Sequence, residues 1–177
     1  MQLSDVHFPE LVTYAWWTVA FRWLHVIAGI MWIGHLWYFN FTQTPTLPKI
    51  PQELRPGVAR YILPEALFWF RWGAMLTIIL GLILAWLQRE ALYTIEIGFG
   101  DRLPKSAAVG IGMWLGAIMW FNVWFIIWPN QKKNMGLVQA TAQERTRAAR
   151  TAGLASRVNT MLSIPMLYGM VLGAHFY

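Results

Sequence analysis

Four long apolar stretches constrain this chain more than any other feature of its sequence. They cover residues 23–41, 66–87, 107–128 and 158–177. Each is close to the length of about 20 helical residues that crosses a hydrocarbon core of about 30 Å. Because that core offers no water to unpaired backbone groups, such stretches must be helical. The sequence therefore predicts an all-α membrane protein, a four transmembrane helix bundle that forms one domain over residues 1–177.

The composition agrees with this fold class and narrows the chemistry. The chain is 57% hydrophobic and only 12% charged, whereas soluble globular domains contain about 25% charged residues. The net charge of +6 is spread between apolar stretches instead of forming a dense patch, which argues against nucleic-acid binding. Cysteine is absent, so disulfides, thiolate metal sites and covalent c-type haem attachment are excluded. Any cofactor must be held non-covalently.

The basic residues of the connecting segments predict the orientation. Segments 42–65 and 129–157 contain Lys49, Arg55, Arg60, Lys132, Lys133, Arg145, Arg147, Arg150 and Arg157. The connection between the second and third stretches contains Arg89, Arg102 and Lys105, and no basic residue precedes Arg22. Because cytoplasmic loops carry the excess of Lys and Arg, we expect 42–65 and 129–157 to be cytoplasmic. Both termini then lie on the outer, periplasmic side of a bacterial inner membrane.

The segments outside the apolar stretches differ in predicted structure. Residues 44–64 contain five prolines, which predicts an extended, turn-rich connection. Residues 134–157 are rich in Ala, Gln, Glu and Arg, which predicts a largely helical one. Residues 11–20 contain Tyr and Trp, so they are interpreted either as an interfacial segment or as an outward extension of the first helix. Two glycine pairs, Gly112–Gly116 and Gly169–Gly173, have the GxxxG spacing that lets helices approach closely.

Few ionisable side chains lie within the stretches or at their edges, and such residues in a membrane indicate function. They are Arg22, His25, His35, Arg71 and His175. We expect His25, about one turn below Arg22, and His175, near the outer end of the last stretch, at similar depths on different helices. Two such imidazoles suit the axial positions of one haem b iron, with Arg22 pairing with a propionate.

His35 and Arg71 are predicted to mark a second, inner site. His35 lies ten residues beyond His25, about 15 Å farther along an ideal helix, so the two histidines cannot ligate the same iron. A second haem there would need another axial ligand, for which Met119, Met161 and Met166 are the candidates.

Each of these residues also has a purely structural interpretation. A histidine in a membrane helix can simply donate to a carbonyl group across the bundle. Arg22 and Arg71 can extend along their apolar stems to reach the interface, and Arg71 can also pair with Glu65. The spacing of the residues leaves both interpretations open.

Three segments resemble parts of a known family. They are Arg22–Ile30 (RWLHVIAGI) followed by Trp32–Gly34 (WIG), Phe121–Lys132 (FNVWFIIWPNQK), and Asn159 with Ser163–Pro165 (SIP) and Ala174–Phe176 (AHF). They resemble the bacterial membrane-bound urate hydroxylases, specifically the urate oxidase N-terminal membrane domain. Members of that family are longer and carry a c-type cytochrome tail, which a chain without cysteine cannot reproduce. The opening Arg22–Ile27 is also similar to the small membrane-type protoporphyrinogen oxidases, in which the histidine corresponding to His25 is implicated in haem binding.

These observations together predict a haem b-binding integral membrane protein with a role in electron transfer. We expect a subunit of a larger membrane redox complex, in contact with the lipid bilayer, rather than a complete enzyme. Its electron partners would be other membrane redox subunits, a separate cytochrome c or a quinone. One alternative is a non-redox structural or assembly subunit of a respiratory or photosynthetic complex. A second alternative is a membrane oxidase that acts on urate or a porphyrin.

Overall fold

The computed structural model describes residues 13–88 and 104–175, and four long helices dominate this part of the chain. They are α1 (Tyr14–Trp37), α2 (Leu63–Leu87), α3 (Pro104–Phe121) and α4 (Ala142–His175). Shorter helical pieces connect them: Tyr38–Gln43, Thr44–Thr46, Leu47–Lys49, Arg55–Gly57 and Val58–Ile62 between α1 and α2, and Asn122–Ile127 and Trp128–Asn134 between α3 and α4. The predicted all-α class is confirmed for the described residues.

Three continuous helical segments are long and apolar enough to cross a membrane. They are Tyr14–Lys49, Arg55–Leu87 and Ala107–Asn134. Helix α4 is not one of them, because its first half is charged and its second half contains polar side chains such as Asn159 and Ser163. The fourth span at 158–177 and the side on which the termini lie therefore stay predictions. Arg89 and Arg102, which entered the prediction of orientation, lie outside the described residues.

The proline-rich connection differs from the prediction. Helix α1 begins at Tyr14, so residues 14–20 extend the first helix outward, one of the two interpretations offered above. The expectation that 44–64 is extended was wrong, because most of this segment forms short helical turns. Pro45, Pro48 and Pro56 each occupy one of the first two positions of such a turn. Pro56 lies in the first turn of the helical segment Arg55–Leu87, where an amide hydrogen would have no partner, so proline costs little there.

Three π-helical segments, Tyr38–Gln43, Val58–Ile62 and Asn122–Ile127, come shortly before Pro45, Pro64 and Pro129. Each segment contains the residue four positions before its proline, whose carbonyl oxygen an α-helix would press against the proline ring. The residue that follows each segment donates instead to the carbonyl five positions back: Thr44 to Phe39, Leu63 to Val58 and Trp128 to Val123. The wider turns thus relieve a clash that the prolines would impose on a regular helix.

The long helices pack as two antiparallel pairs, α1 with α2 and α3 with α4, and glycines set the closest approaches. A Cβ atom at Gly73 of α2 would lie 3.1 Å from the backbone nitrogen of Trp32 in α1. A Cβ atom at Gly169 of α4 would lie only 2.7 Å from the carbonyl oxygen of Ala108 in α3. Gly169 is one of the GxxxG glycines, so this spacing serves the packing of the chain against itself.

The buried core joins the two pairs at the end of the bundle where the 38–62 and 122–141 connections lie. All four helices contribute, with the buried side chains Trp32, Ile33, Leu36, Phe39, Ala66, Leu67, Phe70, Ala74, Met119, Val123, Ile127, Ala152 and Met166. Two hydrogen bonds tie α1 and the segment after it to α4. Trp37 Nε1 donates to Ser163 Oγ (3.0 Å), and Asn40 Nδ2 donates to Ser156 Oγ (2.8 Å).

Local interactions fix the start of α4. The sequence predicted a largely helical 134–157 segment but not the residue at which the helix begins. Gly136, with a φ of 77°, reverses the chain after Trp128–Asn134. Thr141 then caps α4: its backbone N–H and its hydroxyl both donate to Glu144 Oε2 (2.7 and 2.9 Å), and its Oγ1 accepts from the Glu144 amide (3.3 Å). These bonds hold the pKa of the Glu144 carboxyl below its usual value. This reciprocal capping box replaces the missing backbone partners of the first turn, so the helical prediction for 134–157 holds from Ala142 onward.

Candidate functional site

His25 is a sequence-predicted site residue that forms a hydrogen bond to another helix. Its half-buried imidazole extends from α1 to α2, where Nδ1–H donates to the backbone carbonyl oxygen of Thr77 (2.9 Å). Gly81, one turn farther along α2, makes this possible. A Cβ atom there would lie 2.9 Å from Cε1 and 3.2 Å from Nδ1 of the imidazole. Glycine at this position therefore lets the ring lie against the backbone of α2.

The contact with Thr77 determines which nitrogen of His25 is available. A carbonyl oxygen can only accept a hydrogen bond, so Nδ1 carries the proton and Nε2 presents its lone pair. Metal-binding histidines commonly have this arrangement, in which one ring nitrogen donates to a carbonyl or carboxylate and the other ligates. The bond crosses between helices, so it fixes the orientation of the ring as well as the tautomer.

His175 lies at the end of α4 with an exposed side chain. Its Nδ1–H donates to the carbonyl oxygen of Val171 in its own helix (3.2 Å), which leaves Nε2 available here too. The position of His175 along the bundle axis follows from the Trp37–Ser163 hydrogen bond, which joins the antiparallel helices α1 and α4. His25 lies twelve residues before Trp37, and His175 lies twelve residues after Ser163. With equal rise per residue, the two histidines lie at similar levels along the bundle but on different helix pairs.

Arg22 lies about one turn before His25 on α1, and its side chain is exposed. This position agrees with the spacing used for the prediction, since residues three apart on a helix are neighbours. Because Arg22 is three residues before His25, its guanidinium can lie beside a group that His25 binds.

His35 lines an open groove between α1 and α2, farther along the bundle than His25. Its Nδ1–H donates to the carbonyl oxygen of Met31 (2.7 Å), again leaving Nε2 available. The groove has a volume of about 600 Å³, and its other polar lining groups include Tyr38, Tyr61 and Glu65. Glu65 Oε1 accepts a hydrogen bond from Trp69 Nε1 (3.0 Å), so Trp69 forms part of the same wall.

The methionines considered as ligands for an inner haem do not line this groove. Met119 and Met166 are buried in the core, and Met161 is exposed on α4. The groove contains Met31 instead, which lies one turn from His35 on the same helix. Two residues on one face of one helix cannot occupy opposite axial positions of an iron. The groove therefore provides one imidazole together with hydroxyl and carboxylate groups. It does not contain Met119, Met161 or Met166.

Arg71 lies apart from His35 and faces the segment that follows α3. Its guanidinium carbon lies 3.6 Å from the ring centre of Trp128 and 5.3 Å from that of Trp124. Its Nε and Nη1 atoms are buried and have no hydrogen-bond acceptor within the described part of the chain. The alternative pairing with Glu65 is not found, since the partner of that carboxylate is Trp69. Arg71 and His35 therefore do not form a common inner site in this structure.

A buried polar network joins α3 and the segment after it to α4, and the sequence reasoning named its residues only as part of the family resemblance. Asn159 is fully buried, donates through Nδ2 to the carbonyl oxygen of Met119 (2.9 Å), and accepts from Asn122 Nδ2 (2.8 Å). Ser163, also fully buried, accepts from Trp37 and donates to the carbonyl oxygen of Thr160 (2.7 Å). The spacing of Asn159 and Ser163, one helical turn apart in an apolar stretch, was the available signal. These hydrogen bonds hold the helices together.

No group of three or more His, Asp or Glu side chains suited to a metal ion occurs in residues 13–88 and 104–175.

Comparison with known families bears on the C-terminal part of the chain. Residues 91–177 match the protein-family model described as urate oxidase N-terminal. The match contains two of the three segments on which the resemblance was based, Phe121–Lys132 and Asn159–Phe176, and so confirms that resemblance over this range. The segment around His25 lies outside it. No curated protein and no solved structure matches the chain.

Proposed function

We propose that this chain is a haem b-binding subunit of a membrane redox complex and that it resembles the membrane domain of urate hydroxylases in using this module for electron transfer. One observation carries the proposal: the imidazole of His25 is oriented by a carbonyl group on a second helix, with Nε2 left available. Gly81 leaves the space in which the ring lies against α2 in this orientation.

His25 and His175 are the residues that would hold a haem. Both have Nδ1 bonded to a backbone carbonyl, so each would offer Nε2 to the iron. Their similar position along the bundle axis supports a shared site. Arg22 would offset the charge of a propionate from one turn away. When bound, a haem supplies one-electron chemistry, while the chain fixes the tautomer and orientation of its ligands.

The proposal includes a membrane orientation. Residues 158–175 of α4 would form a fourth span beside the three apolar helices, with 42–65 and 129–157 on the cytoplasmic side of a bacterial inner membrane. The close crossing at Gly169 supports this, because α4 packs along α3 with almost no space between the backbones. Two polar side chains of this stretch, Asn159 and Ser163, form hydrogen bonds inside the bundle.

The groove beside His35 suits an electron partner better than a second haem. A second haem would need a ligand opposite His35, and the methionines considered for that role lie elsewhere. A quinone needs hydrogen-bonding groups for its oxygen atoms and aromatic or apolar walls for its ring. His35, Tyr38 and Tyr61 would provide the first, and Trp69 with Ile30 the second. We therefore assign this groove to a quinone, with a separate cytochrome c as the alternative electron partner.

A haem spectrum of the purified chain tests the proposal. Protein prepared from haem-replete cells should show a reduced-minus-oxidised b-type spectrum, with haem quantified as its pyridine haemochrome. His25→Ala should abolish the spectrum. Gly81→Ala should lower the haem content by displacing the imidazole from Thr77. Gly116→Ala is the matched control, because a Cβ atom there meets nothing within 4 Å, and it should bind haem like the parent chain.

A folded but colourless parent protein would overturn the proposal and favour a structural or assembly subunit. Turnover of urate or a porphyrin by the isolated chain, with an added quinone or cytochrome as electron acceptor, would instead favour an oxidase. Loss of haem from His25→Ala without any loss from Gly81→Ala would show that the contact with α2 does not orient the ligand.

A further inference from the structure

The surroundings of Arg71 indicate a ligand that the proposed redox function does not require. Arg71 lies on α2, within one of the segments apolar enough to cross a membrane. Its guanidinium stacks on Trp128, yet Nε and Nη1 are buried without an acceptor in the described structure. An aromatic face attracts the positive charge, but it does not accept the hydrogen bonds that point outward in the guanidinium plane. A charge in this setting normally has a partner.

A second cation lies beside the same indole ring. Lys132 Nζ is 5.7 Å from the ring centre of Trp128, and Lys132 is one helical turn beyond Trp128. Neither cation forms a salt bridge with a described carboxylate. Two unpaired positive charges that share one aromatic ring form a local site for a negatively charged group.

The position and the chemistry specify that group. Tryptophan prefers the level of the lipid headgroups, and basic pockets between helices at the cytoplasmic side bind anionic headgroups. A guanidinium matches the oxygen atoms of a phosphate in two parallel hydrogen bonds. Trp72 contacts Trp124 beside Arg71 and exposes aromatic surface on which acyl chains can lie.

We propose that Arg71, Trp128 and Lys132 form a binding site for a phosphate-bearing anion, and that its occupant in the membrane is the headgroup of an anionic phospholipid. The phosphate accepts hydrogen bonds from the guanidinium and the ammonium group, and the lipid lies between α2 and the Trp128–Asn134 segment. The site lies on a different face from the His35 groove and involves neither His25 nor His175. Lipid binding at this site does not depend on haem binding.

Native mass spectrometry after purification from vesicles of equal phosphatidylcholine and phosphatidylglycerol tests the proposal. The parent chain should retain phosphatidylglycerol in preference to phosphatidylcholine. Arg71→Gln and Lys132→Gln should each lower that retention about fivefold, the effect of about one basic residue at an anionic surface. Arg60→Gln is the matched control, since Arg60 lies near the same end of the bundle beside an aromatic ring, Tyr61, at 5.7 Å. It should retain the lipid like the parent.

Two further measurements identify the source of the anion. In detergent without lipid, inorganic phosphate at matched ionic strength should not raise the unfolding temperature more than chloride does. A rise that Arg71→Gln abolishes would assign the site to free phosphate and overturn the lipid occupant. The haem content should be the same in the parent and Arg71→Gln, and haem loss with unchanged lipid retention would make Arg71 a haem residue and overturn the proposal.

A folding defect in Arg71→Gln would not prevent the test. Lys132→Gln changes a side chain at the surface of the segment, and Arg71→Lys keeps the charge while losing the paired hydrogen bonds. Reduced retention in both variants supports the site. Retention equal to that of the parent in Lys132→Gln and Arg71→Lys overturns it.

Discussion

Replacing Gly169 by alanine probes the close crossing of α3 and α4 directly. The added Cβ would lie 2.7 Å from the carbonyl oxygen of Ala108 and 3.3 Å from the backbone nitrogen of Gly112. Both atoms belong to the backbone of α3, so no side chain can rotate away to make room. The helices would have to separate by several tenths of an ångström along this contact. Gly116, in the other GxxxG pair, has no atom within 4 Å of the corresponding position.

The difference between the two alanine variants isolates the cost of this crossing. Both substitutions gain the same helix preference of alanine over glycine, about 0.5–1 kcal/mol, so that contribution cancels. Forcing additional volume into a packed contact costs about 1–3 kcal/mol. We therefore expect Gly169→Ala to be less stable than Gly116→Ala by about 1–3 kcal/mol. For a chain of this length, each kcal/mol corresponds to about 2–4 °C in the unfolding temperature.

Unfolding of both variants in mixed micelles with increasing SDS, followed by circular dichroism, measures this difference. Heating in the same detergent provides a second estimate from the unfolding temperature. Equal stability of the two variants would refute the reasoning, because it would mean that the backbones of α3 and α4 are not in contact at Gly169. A loss of stability in Gly116→Ala as large as that in Gly169→Ala would refute it as well.

Two further predictions concern the bonds that hold α4. Asn159→Ala removes two buried hydrogen bonds, one of them to Asn122, and should lower the free energy of unfolding by about 1–3 kcal/mol in the same SDS titration. Asn134→Ala, which removes an exposed bond to Gln131, should have little effect, and a similar loss in both would contradict this. The pKa of Glu144 is lowered by its bonds to Thr141, so the stability that the cap contributes is present above the usual glutamate pKa. It should be lost as the pH falls through the lowered value. An acid titration of helicity should show this loss, and Glu144→Gln should lack it.

The helices were predictable because bilayer thickness and backbone hydrogen bonding leave no alternative for long apolar stretches. The predicted stretches 23–41, 66–87 and 107–128 all lie within the helical segments apolar enough to cross a membrane. The proline-rich connection was mispredicted because five prolines were taken to exclude helix. Proline disfavours a regular helix interior but suits the first turn, and short helical turns form around several of these prolines.

The candidate site was predictable only in its residue types. His25 and Arg71 were singled out because an ionisable side chain in a membrane is costly. Their contacts depend on the rotation of each helix and on backbone atoms. The acceptor of His25 is the carbonyl group of Thr77, which every residue type possesses. The tryptophans beside Arg71 could not be told apart from the other tryptophans of the chain, most of which suit a lipid-facing or packing role equally well.

The three π-helical segments constrain where single residues can be deleted from this chain. A π-turn accommodates one more residue than the α-turn it replaces. Deleting a single residue from Asn122–Ile127 would restore an α-helix but would press the Phe125 carbonyl, or its replacement, against Pro129. The additional residue can therefore be lost without a clash only when the proline is lost as well. Gaps at these three places in related chains should therefore coincide with the absence of the following proline.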